Sequence, residues 1–441
     1  MEGQDSTTAN HTTNIQLSAE SELFIKVPQS EPRCSARIVV QSASGSDARV
    51  EFLGTPLFVD VSYYLIPGEQ VVLFTWTNAI ILVEGSDLLL KNVFRTSTRP
   101  LSRAIIEYHS FLHDIRAASE NGLREGPITL LCGRDDSSKV ATAKSLCNYA
   151  TRTGWKPLLV DLDCRRSPIL GVPGSLSASV IEFPITLDEI FSQTHVSITF
   201  FVGTTEPQQQ TEEKMLSPSY VHYSRFLLKC CNDRLSKHSS DIFGWSGMIV
   251  ILPELNDNAA VNFITEIVEA HNISHILTFG DDYLFHKLYM QYSIRGGSHR
   301  RRKLLVDRIS KGHCYTPFPP LEQILPGIFR NYFHGSGPII LQPSQWLKSF
   351  ETLEILRFKE SIDQVQLITV EKEELQGIVG CIGALFHFDK ISTPLNLSPF
   401  AYVRVHSIEP TGVVLLTTTT FTFPSDRLIL VVGTVRWITS T

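Results

Sequence analysis

The chain has 441 residues, a formal net charge of −6, 43% hydrophobic and 19% charged residues. That is ordinary globular composition, long enough for two to four domains, and it excludes a chain drawn to nucleic acid by overall charge. Eight scattered cysteines without a C-x-x-C pair argue against a thiolate zinc site or a disulfide scaffold, and the N-terminal MEGQDSTTANHTTN and the lack of any run of about 18 apolar residues argue against a secretory signal and a membrane span.

Residues 1–20 are polar and Ser/Thr-rich and read as a disordered tail. Short strands split by turn residues follow at 23–27, 36–40, 49–52, 70–76 and 79–83, so 21–100 reads as a small N-terminal β domain, with Trp76 in its core. From 102 the period changes: Ile105, Tyr108, Leu112 and Ile115 recur at helical spacing, and Gly122 supplies a stop. Strand candidates at 128–132, 157–161, 197–202, 247–252, 275–279 and 303–306 then alternate with helical stretches at 139–153, 220–235 and 258–271. That alternation predicts an α/β domain over 101–335 with a doubly wound, mostly parallel sheet. Pro319-Pro320 and Pro326-Gly327 mark a joint, and strands return at 367–370, 378–388, 401–406, 411–418 and 428–432, a β-rich C-terminal domain over 336–441.

The most informative stretch follows the strand at 128–132. A phosphate-binding loop needs G-x-x-x-x-G-K-[ST]: backbone to cradle phosphates, Lys to reach them, a hydroxyl for Mg²⁺. Gly133 and Lys139 hold the first Gly and the Lys, with Asp135, Asp136 and Ser137 between them. Ser138 replaces the second Gly, Val140 the hydroxyl residue, and Ala141 follows. The next strand ends in Asp161 and Asp163, where such enzymes keep a metal-binding or general-base acid; the alternative is capping of a strand end.

These segments resemble the polyribonucleotide 5′-hydroxyl kinases that double as subunits of the pre-mRNA cleavage and polyadenylation machinery. Glu22-Leu23-Phe24 resembles the family's Glu-Leu-Arg-Phe strand, and 52–57 (FLGTPL) its Phe-Gly-Thr-Glu-Leu turn. Phe74-Thr75-Trp76 is identical to a family tripeptide. LCNYA at 146–150 with Gly154, Pro173-Gly174, and Tyr332-Phe333-His334-Gly335 match in order and spacing. The resemblance implies a central P-loop NTPase-like domain between two β-rich ones. It also implies a nucleotide site at Glu22, Gln70 (where the family has Lys), Gly133, Asp136, Ser137, Ser138, Lys139, Val140 and Ala141.

The departures bear on chemistry. Val140 cannot coordinate a hard cation that demands oxygen. A left-handed backbone at Ser138 would cost roughly 1–2 kcal/mol. The family's Asp-Val-Gly-Gln-Gly is Asp163-Cys164-Arg165-Arg166-Ser167 here, its RNA-contacting Trp segment aligns with 251–255 (ILPEL), and its Arg-rich lid with 311–330, where Arg330 is the only arginine. The expectation is therefore a non-catalytic or weakly catalytic scaffold of the nuclear 3′-end machinery, with ATP as a structural ligand, no metal site, and other cleavage-factor subunits as partners. An active polynucleotide 5′-hydroxyl kinase is the alternative, with Thr142 or water holding Mg²⁺. Arg165 and Arg166 either hold an anion or pair with Asp135 and Asp136 to close the loop. With Arg300, Arg301, Arg302 and Lys303 they also form a candidate RNA contact; the bland reading of 300–303 is a solvated run, and of Lys139 a solvated first-turn lysine.

Overall fold

The computed structural model describes residues 11–31, 35–43, 47–96, 100–123, 125–134, 137–167, 172–187, 196–209, 215–255, 257–294, 304–309, 319–335, 340–361, 364–387, 394–418 and 427–438. The N-terminal strands form two antiparallel sheets. One orders His11–Leu17, Ala79–Gly85, Arg37–Ser42 and Ser62–Tyr64; the other Thr55–Leu57, Val50–Phe52, Gln70–Thr75, Ser21–Lys26 and Val93–Thr96. Alternation along the strands decides what each face meets. Leu23, Ile25, Ile38, Val40, Ile81 and Val83 close the sandwich core, while Phe24 and Val72 on the other face pack on the central domain. Part of the expected tail is therefore strand: His11–Leu17 pairs along its whole length with Ala79–Gly85. Its polar residues face solvent and only Leu17 is buried, so hydrophobic content alone hides it. Trp76 is not core; it is 37% exposed, edge-on to Phe74.

The central sheet orders Val196–Phe201, Ser175–Val180, Leu158–Asp161, Met248–Ile251, Ile128–Gly133, His275–Phe279 and Leu305–Ile309. Only Ser175–Val180 runs against the others, so the sheet is mixed rather than wholly parallel. The chain turns into this strand at Pro173-Gly174, where Gly174 has a φ of 89°. Helices Leu101–Glu120 and Ser137–Arg152 cover one face; Pro218–Lys237 and Asp257–Ala270 cover the other. The molecule is thus an α/β P-loop fold flanked by N-terminal β sheets and a β-rich C-terminal sheet. That last sheet has seven strands, from Ser344–Ser349 at one edge to Gln364–Thr369 at the other. Pro326-Gly327 does not break the chain at the joint: both lie inside the helix Leu321–His334. No described helix is long and apolar enough to cross a membrane.

The two helices on the loop side enclose a histidine. His109 is buried, its ring tilted by 32° against that of Tyr149 at 5.3 Å, and its Nδ1 has no hydrogen-bond partner among the described residues. Burial, then the positive charges of Arg116, His113 and Arg152, push its imidazole from 6.5 down to about 4. A depressed histidine means the unfolded chain binds protons that the folded chain refuses. Its contribution to stability therefore falls as pH drops from about 6.5 toward 4, by about 2 kcal/mol on reaching pH 5. The expected result is that His109→Phe is at least as stable as the native chain at neutral pH and loses less on acidification. Urea unfolding at the two pH values measures this; an unchanged pH dependence in the variant would refute it.

Candidate nucleotide-binding site

The loop strand Ile128–Gly133 sits mid-sheet, and the loop helix Ser137–Arg152 starts at its carboxyl end, where doubly wound sheets place ligands. Gly133 is needed there for packing alone. Its φ is 112°, and a Cβ would lie 2.3 Å from the Phe279 carbonyl oxygen of the neighbouring strand. The retained first glycine is therefore explained without a phosphate. Ser138 lies in the helix's first turn, not in a left-handed conformation, so the strain anticipated there is absent. The left-handed residue is Ser167, with a φ of 45°, where the family motif has its last glycine. The cost of about 1–2 kcal/mol falls there instead.

Lys139 is fully buried, not a solvated first-turn lysine. Its Nζ donates to the Gly133 carbonyl at 3.4 Å. Val140 and Ala141 are half-buried, Ala141 against the core beneath the helix. Thr142 is fully buried, and its Oγ1 has no hydrogen-bond partner among the described residues. It points away from any phosphate position, about 200° around the helix from Val140, so it does not replace the missing hydroxyl. Asp135 and Asp136 lie outside the described residues, as does the side chain of Ser137.

Asp161 ends the strand Leu158–Asp161, one strand removed from the loop strand across Met248–Ile251, and Asp163 follows it; both are buried. Asp161 Oδ1 accepts from the Asp163 backbone N–H at 2.9 Å. Asp163 Oδ1 accepts from both the backbone N–H and Nε of Arg165, each at 3.1 Å. Burial alone would raise the Asp163 carboxyl; Arg165, Lys139 and Arg166 together outweigh it and hold Asp163 below the usual carboxylate range. Lys139 also faces the buried Cys132 thiol, which burial pushes up to about 12. Three cations thus bear on one carboxylate, and Arg165 is hydrogen-bonded to it.

Glu22 belongs to the N-terminal sheet. Its Oε1 accepts from the Ser102 N–H at 2.9 Å and Oγ at 2.7 Å, while Oε2 is buried without a partner among the described residues. Burial raises its carboxyl despite the Ser102 bonds. Gln70, half-buried, opens the neighbouring strand, pairing with Lys26. Ser102, eighty residues away in sequence, carried no signal of its own in the chain's order of residues. The segment 251–255 presents no aromatic, and Arg330 is exposed on the helix Leu321–His334. Arg300, Arg301, Arg302 and Lys303 lie outside the described residues. The chain re-enters the sheet after them at Leu305, at the edge where the parallel strands begin, opposite the loop. Among the described residues, no group of three His, Cys, Asp or Glu is placed to hold a metal ion.

Residues 133–304 match the model of the mRNA cleavage and polyadenylation factor CLP1 P-loop, and residues 16–119 that of the N-terminal beta-sandwich domain of polyadenylation factor. The chain belongs to the Clp1 family. It is 23% identical over 427 residues, 90% of this chain and 88% of the relative, to the mRNA cleavage and polyadenylation factor clp1 of Botryotinia fuckeliana. It is 30% identical over 195 residues to the polyribonucleotide 5'-hydroxyl-kinase Clp1 of Danio rerio, a match covering 44% of this chain and 41% of that one. Two solved structures of Clp1p with Pcf11p share its fold, each with a TM-score of 0.76. One, 20% identical, covers 97% of this chain and 99% of that chain and concerns a point mutant that lost ATP; the other, 19% identical, covers 98% and 99%.

Proposed function

We propose that this Clp1-family chain is a non-catalytic or weakly catalytic scaffold subunit of the nuclear pre-mRNA 3′-end cleavage and polyadenylation machinery, holding ATP as a structural ligand. The observation that carries this is Asp163 engaged by Arg165 at 3.1 Å beside a valine where the metal-binding hydroxyl belongs. Phosphoryl transfer relies on positioned cations that neutralise developing charge. The residues present do not fit Mg²⁺: Val140 offers no oxygen, Thr142 is buried elsewhere, and Asp163 is taken. They are compatible with a nucleotide: Lys139 holds the sequence position of the phosphate-binding lysine, and the buried Glu22 Oε2, without a partner among the described residues, is an acceptor suited to a base amino group. A ligand bound only by the folded state stabilises it by mass action. The family supplies the expected setting: a neighbour solved in complex with Pcf11p supports a cleavage-factor subunit as partner, and relatives named for mRNA cleavage support the nucleus.

Two measurements test this reading. Pull-down from nuclear extract is expected to recover cleavage-factor subunits, and recovery of none sinks the scaffold assignment. Purified chain is expected to transfer no labelled phosphate from ATP to a 5′-hydroxyl RNA, and Val140→Ser alone to leave it inactive, because Arg165 still occupies Asp163. Transfer that vanishes in Lys139→Ala would establish a kinase instead.

A further inference from the structure

We infer that this loop binds its nucleoside polyphosphate free of Mg²⁺, with Arg165 and Arg166 supplying the counter-charge that a metal ion supplies elsewhere. The inference rests on the nucleotide reading above and goes beyond it by naming the form of the ligand. A polyphosphate in a closed site needs its negative charge matched. Mg²⁺ would demand near-octahedral oxygen ligands, and the usual donors are altered or engaged here: position 140 carries an isopropyl group, Asp161 Oδ1 accepts from the Asp163 N–H, and Asp163 Oδ1 holds two Arg165 donors.

What the site offers instead is cationic. Arg165 is 17% exposed and Asp163 2% exposed, so their pair is drawn from inside the protein, not from a screened surface. Lys139, fully buried, and half-buried Arg166 bear on the same carboxylate. Guanidinium forks match phosphate oxygens in geometry as well as charge. Arg165 and Arg166 also follow the strand Leu158–Asp161, whose carboxyl end lies at the same edge of the sheet as the loop. The arginines thus stand at the phosphate end of the site. Asp163 serves as their positioning anchor and has no metal to ligate.

The experiment is equilibrium dialysis of the full-length chain with labelled ATP, once in excess Mg²⁺ and once in EDTA. The expected result is an affinity in EDTA equal to or tighter than in Mg²⁺. Arg166→Ala is expected to weaken binding in EDTA about tenfold, the loss of one charge-assisted bond. Val140→Ser combined with Arg165→Gly is expected to convert the site to Mg²⁺ preference. A fall of about tenfold or more on chelation for the native chain would overturn the inference and leave the nucleotide reading standing. No binding in either buffer would overturn both.

Discussion

Asn148→Ala is expected to remove about 4 kcal/mol of stability, the loss of a fully buried carboxamide that satisfies three main-chain groups. Its Nδ2 donates to the Leu53 carbonyl at 2.9 Å and the Ile185 carbonyl at 3.0 Å, and its Oδ1 accepts from the Ile185 N–H at 2.7 Å. Those partners belong to a turn of the N-terminal sheet and to the segment after Ser175–Val180, while Asn148 itself rides on the loop helix. Leu53 has a φ of 47°, so the turn is held in a conformation that leucine disfavours, and the carboxamide bonds help to hold it. Alanine leaves the Leu53 carbonyl and the Ile185 N–H without these bonds, at about 1–3 kcal/mol each before partial relaxation, and leaves the Ile185 carbonyl with Thr55 Oγ1 at 3.2 Å. Urea unfolding should show a lower midpoint with an unchanged slope. A loss under about 1 kcal/mol would mean that the three groups find other partners and that Asn148 is not a clamp.

Gly433→Ala is expected to cost about 3 kcal/mol by forcing two backbones apart. A Cβ at 433 would lie 2.4 Å from the Gly203 carbonyl oxygen and 2.8 Å from its Cα. Neither is the end of a flexible side chain. The adjacent Thr434 N–H donates to that same carbonyl at 2.7 Å, so any retreat also breaks a hydrogen bond. Gly203 has its own constraint, a φ of 78° with the Phe358 ring 2.5 Å from where its Cβ would stand. These glycines bring the C-terminal sheet against the end of the central strand Val196–Phe201. Gly377→Ala is the matched control, because nothing lies within 4 Å of its added Cβ. Equal stability of the two variants would show that the crossing yields at no cost.

The sequence patterns that proved readable were those with a local cause. The alternation of apolar strands and helices placed Ile128–Gly133, Ser137–Arg152 and Leu101–Glu120, since burial on one face imposes the period within the segment itself. Ser175–Val180 escaped because SLSASV has no apolar run; its three serines are buried on one face, while Leu176 and Ala178 reach the core from the other. The helix over Leu321–His334 was masked by Pro326, which tertiary packing of Phe329 and Phe333 overrides. At the site, Lys139 and the two aspartates were legible by spacing. The choice of Arg165 for Asp163 was not, because both candidate pairings satisfy charge. Strain was assigned to Ser138 by analogy with the glycine it replaces, whereas backbone geometry puts it at Ser167. Glu22 could be picked out, but its bond to Ser102 depends on how the first helix docks, which no local pattern encodes.

The polarity of the central sheet gathers its charge at one end. Ile128–Gly133, Met248–Ile251 and Leu158–Asp161 run parallel, so the strand ends that lead into Lys139 and into Asp163, Arg165 and Arg166 share one edge. Five residues of strand span about 17 Å, more than the screening length of about 10 Å at 0.1 M salt. The potential at that edge is thus nearly independent of charge at the amino ends of the strands at physiological ionic strength. A polyanion attracted to the amino ends would neither compete with nor assist a nucleotide at the carboxyl ends, except through a change in the fold itself.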